Sequence, residues 1–355
     1  MQVDDLHCIP VGENEDILVN VRQGVGLITL NRPKAINSLT HQMVNAMTPV
    51  LADWDRSEDI HAVVVDGAGD RGLCAGGDLV ALHHSAKADG SEARQFWYDE
   101  YVLNALIGRF SKPYVALMDG IVMGGGVGVG VHGSVRVVTD TTKMAMPEVS
   151  IGLIPDVGGT FILSRAPGLL GRHAALTGAP FGAADAIAMG FADHFVHHDN
   201  LDAFKQAVIA DGIDAALSAH AVEPPPSPLL AQRDWIDECF AGETVADIVA
   251  ALRGHDARPA NDAANLIATR SPISLCVALE AIRRAAKLET LEDVLRQEYR
   301  TSCACSRSRE FVEGTRAIVI DKDRNPKWSP ASLAAVTTAD IEAYFEPPDR
   351  ELEFI

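Results

Sequence analysis

The chain has 355 residues, of which 47% are hydrophobic, and it carries a formal net charge of −19 at pH 7. This length predicts one large domain with an appendage, and the hydrophobic share is typical of a packed core rather than a disordered chain. The negative charge excludes nucleic acid as a partner, because a phosphate backbone binds to basic surfaces. A phosphorylated small ligand remains compatible with it, since such a ligand needs only a local basic patch.

The sequence carries no recognisable targeting or metal-binding pattern. The first 16 residues are acidic and lack an apolar signal segment, so we predict neither export nor organelle import and expect a cytoplasmic protein. No apolar run reaches the roughly 18 residues that cross a bilayer, so no membrane partner is expected. The cysteines lack CxxC spacing, which predicts free thiols and no metal site; they are Cys8, Cys74, Cys239, Cys276, Cys303 and Cys305.

The chain begins with strand and helix patterns. Residues 17–30 alternate in the manner of a hairpin, and the turn is expected at Gln23 and Gly24. A helical pattern follows, with either Ser38 or Thr40 as its N-cap. Residues 62–66 are all apolar apart from the last, which predicts a strand buried on both faces.

Two glycine-rich loops follow buried strands. Residues 67–78 separate the strand at 62–66 from a predicted helix over 79–109, and a second buried strand begins after Pro113. It leads into Gly124, Gly125 and Gly126, another helix start and a strand from 135. Because the same order occurs twice, ligand-facing backbone is expected at the strand ends.

The second half of the sequence reads as helices. Short helices are predicted within 167–195, and the run EPPPSP at 223–228 marks a composition break typical of a linker. Helical patterns continue to 268 and recur over 272–287 and 291–302. No chemistry is evident in this part, so it is assigned a structural or covering role.

The glycine loops lack the spacing of a nucleotide-binding motif. They offer instead two exposed backbone N–H groups, one from each loop, and Gly77 and Gly125 are the candidates. Two donors that converge on one oxygen form an oxyanion hole, which stabilises a carbonyl oxygen as it gains charge. From spacing alone, glycines that merely allow a helix to pack closely on a strand explain the loops equally well.

Two carboxylates stand in apolar sequence after the second loop. Glu148 and Asp156 are candidates for acid–base or nucleophilic chemistry, because burial raises a carboxyl pKa. The alternative for Glu148 is a helix-capping or salt-bridged acid. The apolar-flanked histidines are interpreted as satisfied core or surface groups, and Cys74 as a small packing residue, since no histidine is paired with it at readable spacing; the histidines are His83, His84 and His132.

Four motifs in this order resemble the crotonase, or enoyl-CoA hydratase/isomerase, superfamily. They are NRPKAINSL (31–39), GLCAGGDL (72–79), DGIVMGGGVGV (119–129) and AMPEVSIGLIPDVGGT (145–160), and the resemblance covers roughly residues 15–200. The segments FWYDEYVLN, KPYVALMDGI and GLIPDVGGTFIL, with the longer chain, resemble its 3-hydroxyisobutyryl-CoA hydrolase branch. The resemblance implies an α/β fold, a spiral of β-β-α units with an extended helical C-terminal region. Residues 1–200 are then expected to form the acyl-CoA-binding core and 201–355 the helical C-terminal region.

The resemblance also implies how a substrate is held. The N–H groups of Gly77 and Gly125 would hold a thioester oxygen, and Glu100 would contact the substrate. Without the resemblance, Glu100 reads equally well as a solvent-facing helix residue. Positions bordering the CoA arm, largely through backbone, are Lys34, Ala35, Asp78 and Leu79. Without the resemblance, Lys34 is interpreted as a solvent-exposed lysine with no role in binding. CoA is part of the substrate, so no separate cofactor is implied.

The reaction class depends on the second acid. Hydratases of the family pair the glutamate matching Glu148 with another just after the glycine triplet, where this chain has Gly128. Asp156 supplies an acid where hydratases usually have glycine, and this combination resembles the hydroxyacyl-CoA hydrolases. An enoyl-CoA hydratase or isomerase and a non-catalytic acyl-CoA-binding protein are the alternatives. A homo-oligomer is a further expectation, since hydratases of this fold assemble through their C-terminal helices. In the hydrolase branch, however, the longer C-terminal region would cover the active site instead.

Overall fold

The computed structural model describes residues 9–11 and 14–354. The described strands are β1 (Ile9–Val11), β2 (Asn14–Arg22), β3 (Val25–Leu30), β4 (Ala62–Gly67), β5 (Tyr114–Met118), β6 (Ile121–Met123), β7 (Val135–Val138), β8 (Lys143–Ala145), β9 (His194–Val196) and β10 (Ala221–Val222). The helices of the first 200 residues are α1 (His41–Arg56), α2 (Leu79–Lys87), α3 (Ser91–Gly108), α4 (Gly125–Gly130), α5 (Gly159–Leu163), α6 (Leu170–Thr177) and α7 (Ala183–Ala188). Those beyond are α8 (Leu201–Asp211), α9 (Ile213–His220), α10 (Arg233–Cys239), α11 (Val245–Gly254), α12 (Arg258–Ile267), α13 (Pro272–Ala285), α14 (Leu291–Ser306), α15 (Arg309–Thr315) and α16 (Thr338–Glu342).

The main sheet has the strand order β1-β2-β3-β4-β5-β7-β9-β10. The central strands β3, β4, β5, β7 and β9 run parallel, whereas β1, β2 and β10 join antiparallel at the edges. All of β5 and the first four residues of β4 are buried, because helices cover both faces of the central sheet. The predicted buried strands are therefore confirmed.

A second, smaller layer lies beside the main sheet. Strands β6 and β8 pair in parallel, and Cys74 in the first glycine loop forms a parallel bridge with Val122 of β6. Each of β4, β5 and β7 is thus followed by a second-layer segment before the next helical element. This repetition confirms the expected spiral of β-β-α units, and it brings the ends of the second-layer segments together.

The predicted hairpin and helix start are also confirmed. β2 and β3 pair antiparallel, and the turn residues Gln23 and Gly24 have φ angles of 50° and 77°. Helix α1 begins after Thr40, whose hydroxyl accepts a hydrogen bond from the Met43 N–H at 3.2 Å. Thr40 rather than Ser38 is therefore the N-cap.

The single helix predicted over residues 79–109 is wrong. The structure has two helices, α2 and α3, and Gly90 between them adopts a φ of 71°. The Asp89 carboxylate accepts a hydrogen bond from the Ser91 N–H at 2.9 Å, which closes a turn in place of a helical bond. The helical composition on both sides of this turn concealed it.

The C-terminal helices pack onto the first 200 residues. Helix α14 lies against α3, and α15 lies against α2. Trp97 of α3 meets Phe311 of α15 edge to face, with ring centroids 5.8 Å apart. Side chains from both sides of residue 200 share one hydrophobic core. The division at residue 200 nevertheless stays a prediction.

No single helix in residues 9–11 and 14–354 is long and apolar enough to cross a bilayer. Helices α12 and α13 together have the required length and composition, but they bend by 113° where they meet.

Candidate active site

The two glycine loops meet at Gly77 and Gly125. A β-carbon added to Gly125 would lie 3.4 Å from the backbone nitrogen of Gly77, so the two backbones are in close approach. Gly125 is the first residue of α4, and its N–H therefore has no acceptor inside the helix. The preceding Gly124 has a φ of 48° and a ψ of −120°, a conformation that side-chain-bearing residues rarely adopt. The loops therefore present backbone donors at one point.

Three carboxyl groups surround this point. Glu100 on α3, Glu148 after β8 and Asp156 before α5 line one cavity of about 200 Å³, together with Gly77 and Gly125. They are 2%, 4% and 4% exposed. The solvent-facing alternative for Glu100 is therefore wrong, and the structure brings the predicted catalytic, substrate-contacting and oxyanion-hole residues together.

Individual carboxylate oxygens lie beside the glycines. A β-carbon on Gly125 would lie 2.5 Å from Glu100 Oε1, and one on Gly124 would lie 3.2 Å from Glu148 Oε1. Among the described residues, Glu100 Oε1 and Glu148 Oε2 have no hydrogen-bond partner. Buried polar atoms without a partner are costly in a folded core, so these two oxygens indicate a place for substrate or water.

Burial raises the pKa of all three carboxyl groups. For Glu100 and Glu148, burial is the main cause of a pKa well above the usual range, and the charge of Asp156 adds to it. Burial raises the pKa of Asp156 to about 7, although a hydrogen bond from Tyr101 opposes the rise. Carboxyl groups tuned toward neutrality exchange protons readily at physiological pH.

A chain of hydroxyl groups holds the Asp156 carboxylate. The Tyr101 hydroxyl donates to Asp156 Oδ2 at 2.7 Å and lies 2.7 Å from the Ser302 hydroxyl on α14. The Asp156 carboxylate is thereby connected to the C-terminal region. Tyr101 stands in the segment FWYDEYVLN, but no role was predicted for it there, and Ser302 was predicted only as part of a helix.

The position of the missing second acid is closed. A β-carbon added to Gly128 on α4 would lie 2.7 Å from Val157 Cβ and 2.8 Å from Asn104 Nδ2. Both distances are shorter than ordinary van der Waals contact. The space into which a hydratase would project its second glutamate is therefore filled by neighbouring side chains.

The predicted CoA-binding residues spread over the surface beside the cavity. Leu79 lines the 200 Å³ cavity, whereas Asp78 lines an adjoining one of about 290 Å³. The Asp78 side chain caps α2 through the Ala81 N–H and forms a 3.1 Å ion pair with Arg32. Lys34 and Ala35 are exposed and line neither cavity. Their contacts with CoA stay predictions.

The three histidines and Cys74 lie in the core or at the surface, outside the candidate catalytic group. His132 Nε2 donates to the Val157 carbonyl at 2.7 Å, and burial lowers its pKa to about 4. His83 Nδ1 lies 2.8 Å from the Thr315 hydroxyl, and His84 is exposed. Burial raises the pKa of Cys74 to about 12, so its thiol stays protonated.

Cysteines and metal ligands were also predicted from sequence. Five described cysteines are free thiols, and Cys8 lies outside the described residues together with much of the acidic N-terminal segment. In the described part of the chain, no group of three or more His, Cys, Asp or Glu side chains is arranged to hold a metal. The absence of a metal or separate cofactor stays a prediction.

The C-terminal region contributes to the site in ways the sequence did not indicate. Ile318, in a π-helical turn after α15, lines the 200 Å³ cavity and is 39% exposed. Glu298 on α14 is fully buried and accepts hydrogen bonds from the segment that follows Asp156. Glu298 stands in the charged run LRQEYR, a pattern typical of a solvated helix face, so no sequence signal distinguishes it.

Comparison with known proteins gives consistent full-length matches. The family model described as enoyl-CoA hydratase/isomerase matches residues 25–345. The mitochondrial 3-hydroxyisobutyryl-CoA hydrolase of Rattus norvegicus is 39% identical over 354 residues, and the match covers 96% of this chain and 92% of that protein.

Two solved structures superpose closely. A carnitinyl-CoA dehydratase from Mycobacterium thermoresistibile has a TM-score of 0.94 and 70% identity, covering 96% of this chain and 99% of that one. An enoyl-CoA hydratase from Rhodobacter sphaeroides 2.4.1 has a TM-score of 0.91 and 38% identity, covering 96% and 100%. The resemblance noted in the four motifs is thus confirmed, and the chain belongs to the enoyl-CoA hydratase/isomerase family.

Proposed function

We propose that this protein hydrolyses a short 3-hydroxyacyl-CoA thioester, with 3-hydroxyisobutyryl-CoA as the first candidate. This substrate is the one in the name of the rat relative, a 3-hydroxyisobutyryl-CoA hydrolase. The observation that carries the proposal is the closed position at Gly128, together with a cavity that is lined by three buried carboxyl groups and by the closely approaching backbones of Gly77 and Gly125. Valine degradation, which the resemblance to the hydrolase branch implies, would be the context of this reaction.

The thioester carbonyl would accept hydrogen bonds from the N–H groups of Gly77 and Gly125. Charge builds up on that oxygen when a nucleophile adds to the carbonyl carbon. Each well-placed donor contributes about 3 kcal/mol to stabilising the oxyanion. Glu148, whose Oε2 has no hydrogen-bond partner among the described residues, lines the same cavity as the two glycines.

Glu148 has two routes to products. As a general base it would take a proton from water, and the resulting hydroxide would add to the carbonyl carbon. The tetrahedral oxyanion would then collapse, the C–S bond would break, and the CoA thiolate would take the proton from Glu148. As a nucleophile, Glu148 would form a mixed anhydride and release CoA, and water would cleave the anhydride afterwards. Asp156 would orient the water or bind the 3-hydroxyl group.

Dehydration or hydration is the second candidate, because the 70% identical neighbour is titled a carnitinyl-CoA dehydratase. In that reaction Glu148 would remove a proton from C2, and a second acid would protonate the departing 3-hydroxyl group. The position that hydratases use for that acid is closed at Gly128, which supports hydrolysis. Asp156 or Glu100 would have to replace it.

The deciding experiment follows two products of one incubation. Purified protein is mixed with 3-hydroxyisobutyryl-CoA, and released thiol is measured beside the absorbance of a conjugated enoyl thioester. We expect thiol release without enoyl formation, and we expect E148Q to lower kcat by about 10²–10⁴-fold through loss of its base. The exposed residue Glu289 provides the control E289Q, which should retain the wild-type kcat.

Two other results would contradict hydrolysis. Enoyl absorbance without thiol release would identify a dehydratase or hydratase. Calorimetric binding of the acyl-CoA with no product over hours would identify the non-catalytic acyl-CoA-binding protein.

A cytoplasmic location remains part of this proposal. It stands as the sequence-based prediction, whereas the rat relative is named mitochondrial. Fractionation of the source cells with an antibody to the protein would test it, and recovery in an organelle or envelope fraction would contradict it.

Assembly into a homo-oligomer likewise remains a proposal. It is supported by the assembly of hydratases in the family through C-terminal helices, whereas α14 and α15 of this chain pack against α3 and α2 of the same chain. Sedimentation equilibrium at several concentrations would distinguish a monomer from a larger assembly.

A further inference from the structure

The segment that follows Asp156 is held in a strained backbone conformation. Val157 has a φ of 53°, in the left-handed region. A β-branched residue rarely adopts this region, because its Cβ substituents crowd the backbone. Such strain persists only where the surrounding structure enforces it, and it clusters at functional sites. Contacts with other parts of the fold must therefore hold this segment.

Glu298 on α14 makes most of those contacts. One carboxylate oxygen accepts a hydrogen bond from the Gly158 N–H at 2.6 Å. The other accepts from the Thr160 N–H at 2.9 Å and from the Thr160 hydroxyl at 2.5 Å. The preceding Val157 carbonyl accepts from His132. Side chains from two distant elements thus fix three residues of the segment directly after Asp156.

The burial of Glu298 is costly and therefore informative. Its side chain is fully buried, and burial raises its pKa to about 8 despite the three donors. A well-packed apolar residue would usually stabilise the same position at least as well as a buried ionisable side chain. Glu298 therefore contributes something other than stability, and its partners indicate control of the Asp156 segment.

Helix α14 reaches Asp156 by a second route. Ser302 lies one helical turn after Glu298 and contacts the Tyr101 hydroxyl, which in turn donates to the Asp156 carboxylate. One face of α14 therefore supports both the backbone after Asp156 and the carboxylate itself.

We propose that Glu298 is a positioning residue, which aims the Asp156 carboxylate into the acyl cavity by holding the strained Asp156–Thr160 segment. The inference rests on the proposed function, since it treats Asp156 as a group that meets the substrate or its water. Glu298 itself does not touch the substrate. It acts through the backbone of the segment.

The first test is Glu298→Gln. The side-chain amide introduced by this substitution would place an NH₂ group against the backbone N–H groups of the segment, so at least one hydrogen bond from Gly158 or Thr160 is lost. The volume of the side chain is kept. We expect kcat to fall about 10- to 100-fold with KM within twofold, because the CoA-binding surface is untouched. The matched control is E310Q. Glu310 is equally buried and accepts from the Ser271 hydroxyl and the Ser329 N–H, outside the Asp156 segment, so its loss should lower stability and leave kcat within twofold.

The second test removes the strain. In a V157G background the left-handed conformation carries no steric penalty. We therefore expect E298Q to lower kcat by less than threefold in the V157G background, compared with at least tenfold in the protein that retains Val157. A merely structural role for Glu298 predicts that E298Q lowers kcat by the same factor in both backgrounds. If E298Q does not fold, T160V removes only the hydroxyl donor and should lower kcat about threefold with KM unchanged.

The proposal is overturned if E298Q retains the wild-type kcat, or if V157G gives no rescue. Amide hydrogen exchange provides a readout independent of turnover, and the Gly158 and Thr160 amides should exchange faster in E298Q than in E310Q. Equal exchange would also overturn it. The rate is read from whichever product the wild type forms. A wild type that forms enoyl-CoA would therefore contradict the proposed function without disturbing this comparison.

Discussion

Gly125 is the residue at which the candidate site has least free space. A methyl group there would meet Glu100 Oε1 at 2.5 Å and would stand 3.4 Å from the Gly77 nitrogen. Gly125→Ala should therefore push Glu100 aside and obstruct the point where the two amides converge. We expect kcat for thioester turnover to fall about 10²–10³-fold, the usual cost of losing one oxyanion donor. Steady-state kinetics on the purified variant measures it.

Gly182 provides the control for this substitution. Among the described residues nothing lies within 4 Å of a β-carbon built on Gly182, which precedes α7 at a negative φ. Gly182→Ala should retain kcat within twofold. If G125A also retained the wild-type kcat, Gly125 would be a packing glycine, the alternative left open by its spacing.

At this scale, the sequence identified the residues that stand in motifs. Glu148, Asp156 and the two glycines were found because local sequence marks them, and the structure brings them to one cavity. Glu298 and Tyr101 were not identified, since each meets Asp156 or its segment only through tertiary packing. Long-range partners of this kind leave no local pattern, because their spacing in sequence is set by the fold.

At the scale of elements, the close approach of α4 to α3 and to the Asp156 segment separates the two reaction classes. Gly128 on α4 faces Asn104 of α3 and Val157, and a β-carbon would meet them at 2.8 and 2.7 Å. Gly128→Ala should cost about 1–3 kcal/mol of unfolding free energy through overpacking. Gly128→Glu should fold less well still and gain no measurable hydration of enoyl-CoA. Urea unfolding and a hydration assay measure the two effects.

Gly254, the last residue of α11, is the matched control. In the described part of the chain no atom lies within 4 Å of a β-carbon built there, and its φ is not in the left-handed region. Gly254→Ala should therefore stabilise the protein by up to about 1 kcal/mol. If G128A were as stable as the wild type, the position would not be closed, and the argument against a hydratase pair would lose its physical basis.

The sequence predicted element types better than element boundaries. The hairpin, the buried strands and the short helices follow from local periodicity and turn residues, and they were correct. The break at Gly90 was missed, because one glycine inside good helix-forming sequence is tolerated by the pattern. Asp89 and Gly90 form a dipeptide typical of turns, and the Asp89 hydrogen bond accompanies the φ of 71° at Gly90, so this turn signal was outweighed by its helical surroundings.

At the scale of the whole molecule, the C-terminal region is part of the site. Ile318 lines the cavity, and α14 supports Asp156 through two side chains. The sequence suggested only a structural or covering role, since the region has no motif of its own. The C-terminal region completes the cavity wall and supports Asp156, a candidate catalytic residue. This role explains why the family match runs to residue 345 rather than ending near 200.

The buried carboxyl groups also give the molecule a characteristic dependence of stability on pH. Asp156 and Glu298 have pKa values of about 7 and 8 in the folded protein. In the unfolded chain such groups ionise near pH 4. Between these limits the folded state binds more protons than the unfolded state, so their contribution to stability is complete below about pH 4 and is lost as pH rises to 7–8.

Asp156→Asn should therefore reverse part of that loss. The variant keeps no ionisable group at this position, so its unfolding free energy should exceed that of the wild type by about 1–3 kcal/mol at pH 8, with the difference shrinking toward pH 4. Chemical unfolding at several pH values measures the difference. Asp119 is the control of opposite sign, because burial raises its pKa but hydrogen bonds from Thr139, Thr141 and His198 outweigh burial and lower that pKa. D119N should lose stability at pH 7 and match the wild type at low pH. A D156N difference independent of pH would mean that the pKa of Asp156 is not raised in the folded protein, which would contradict the effect of burial on this carboxyl group.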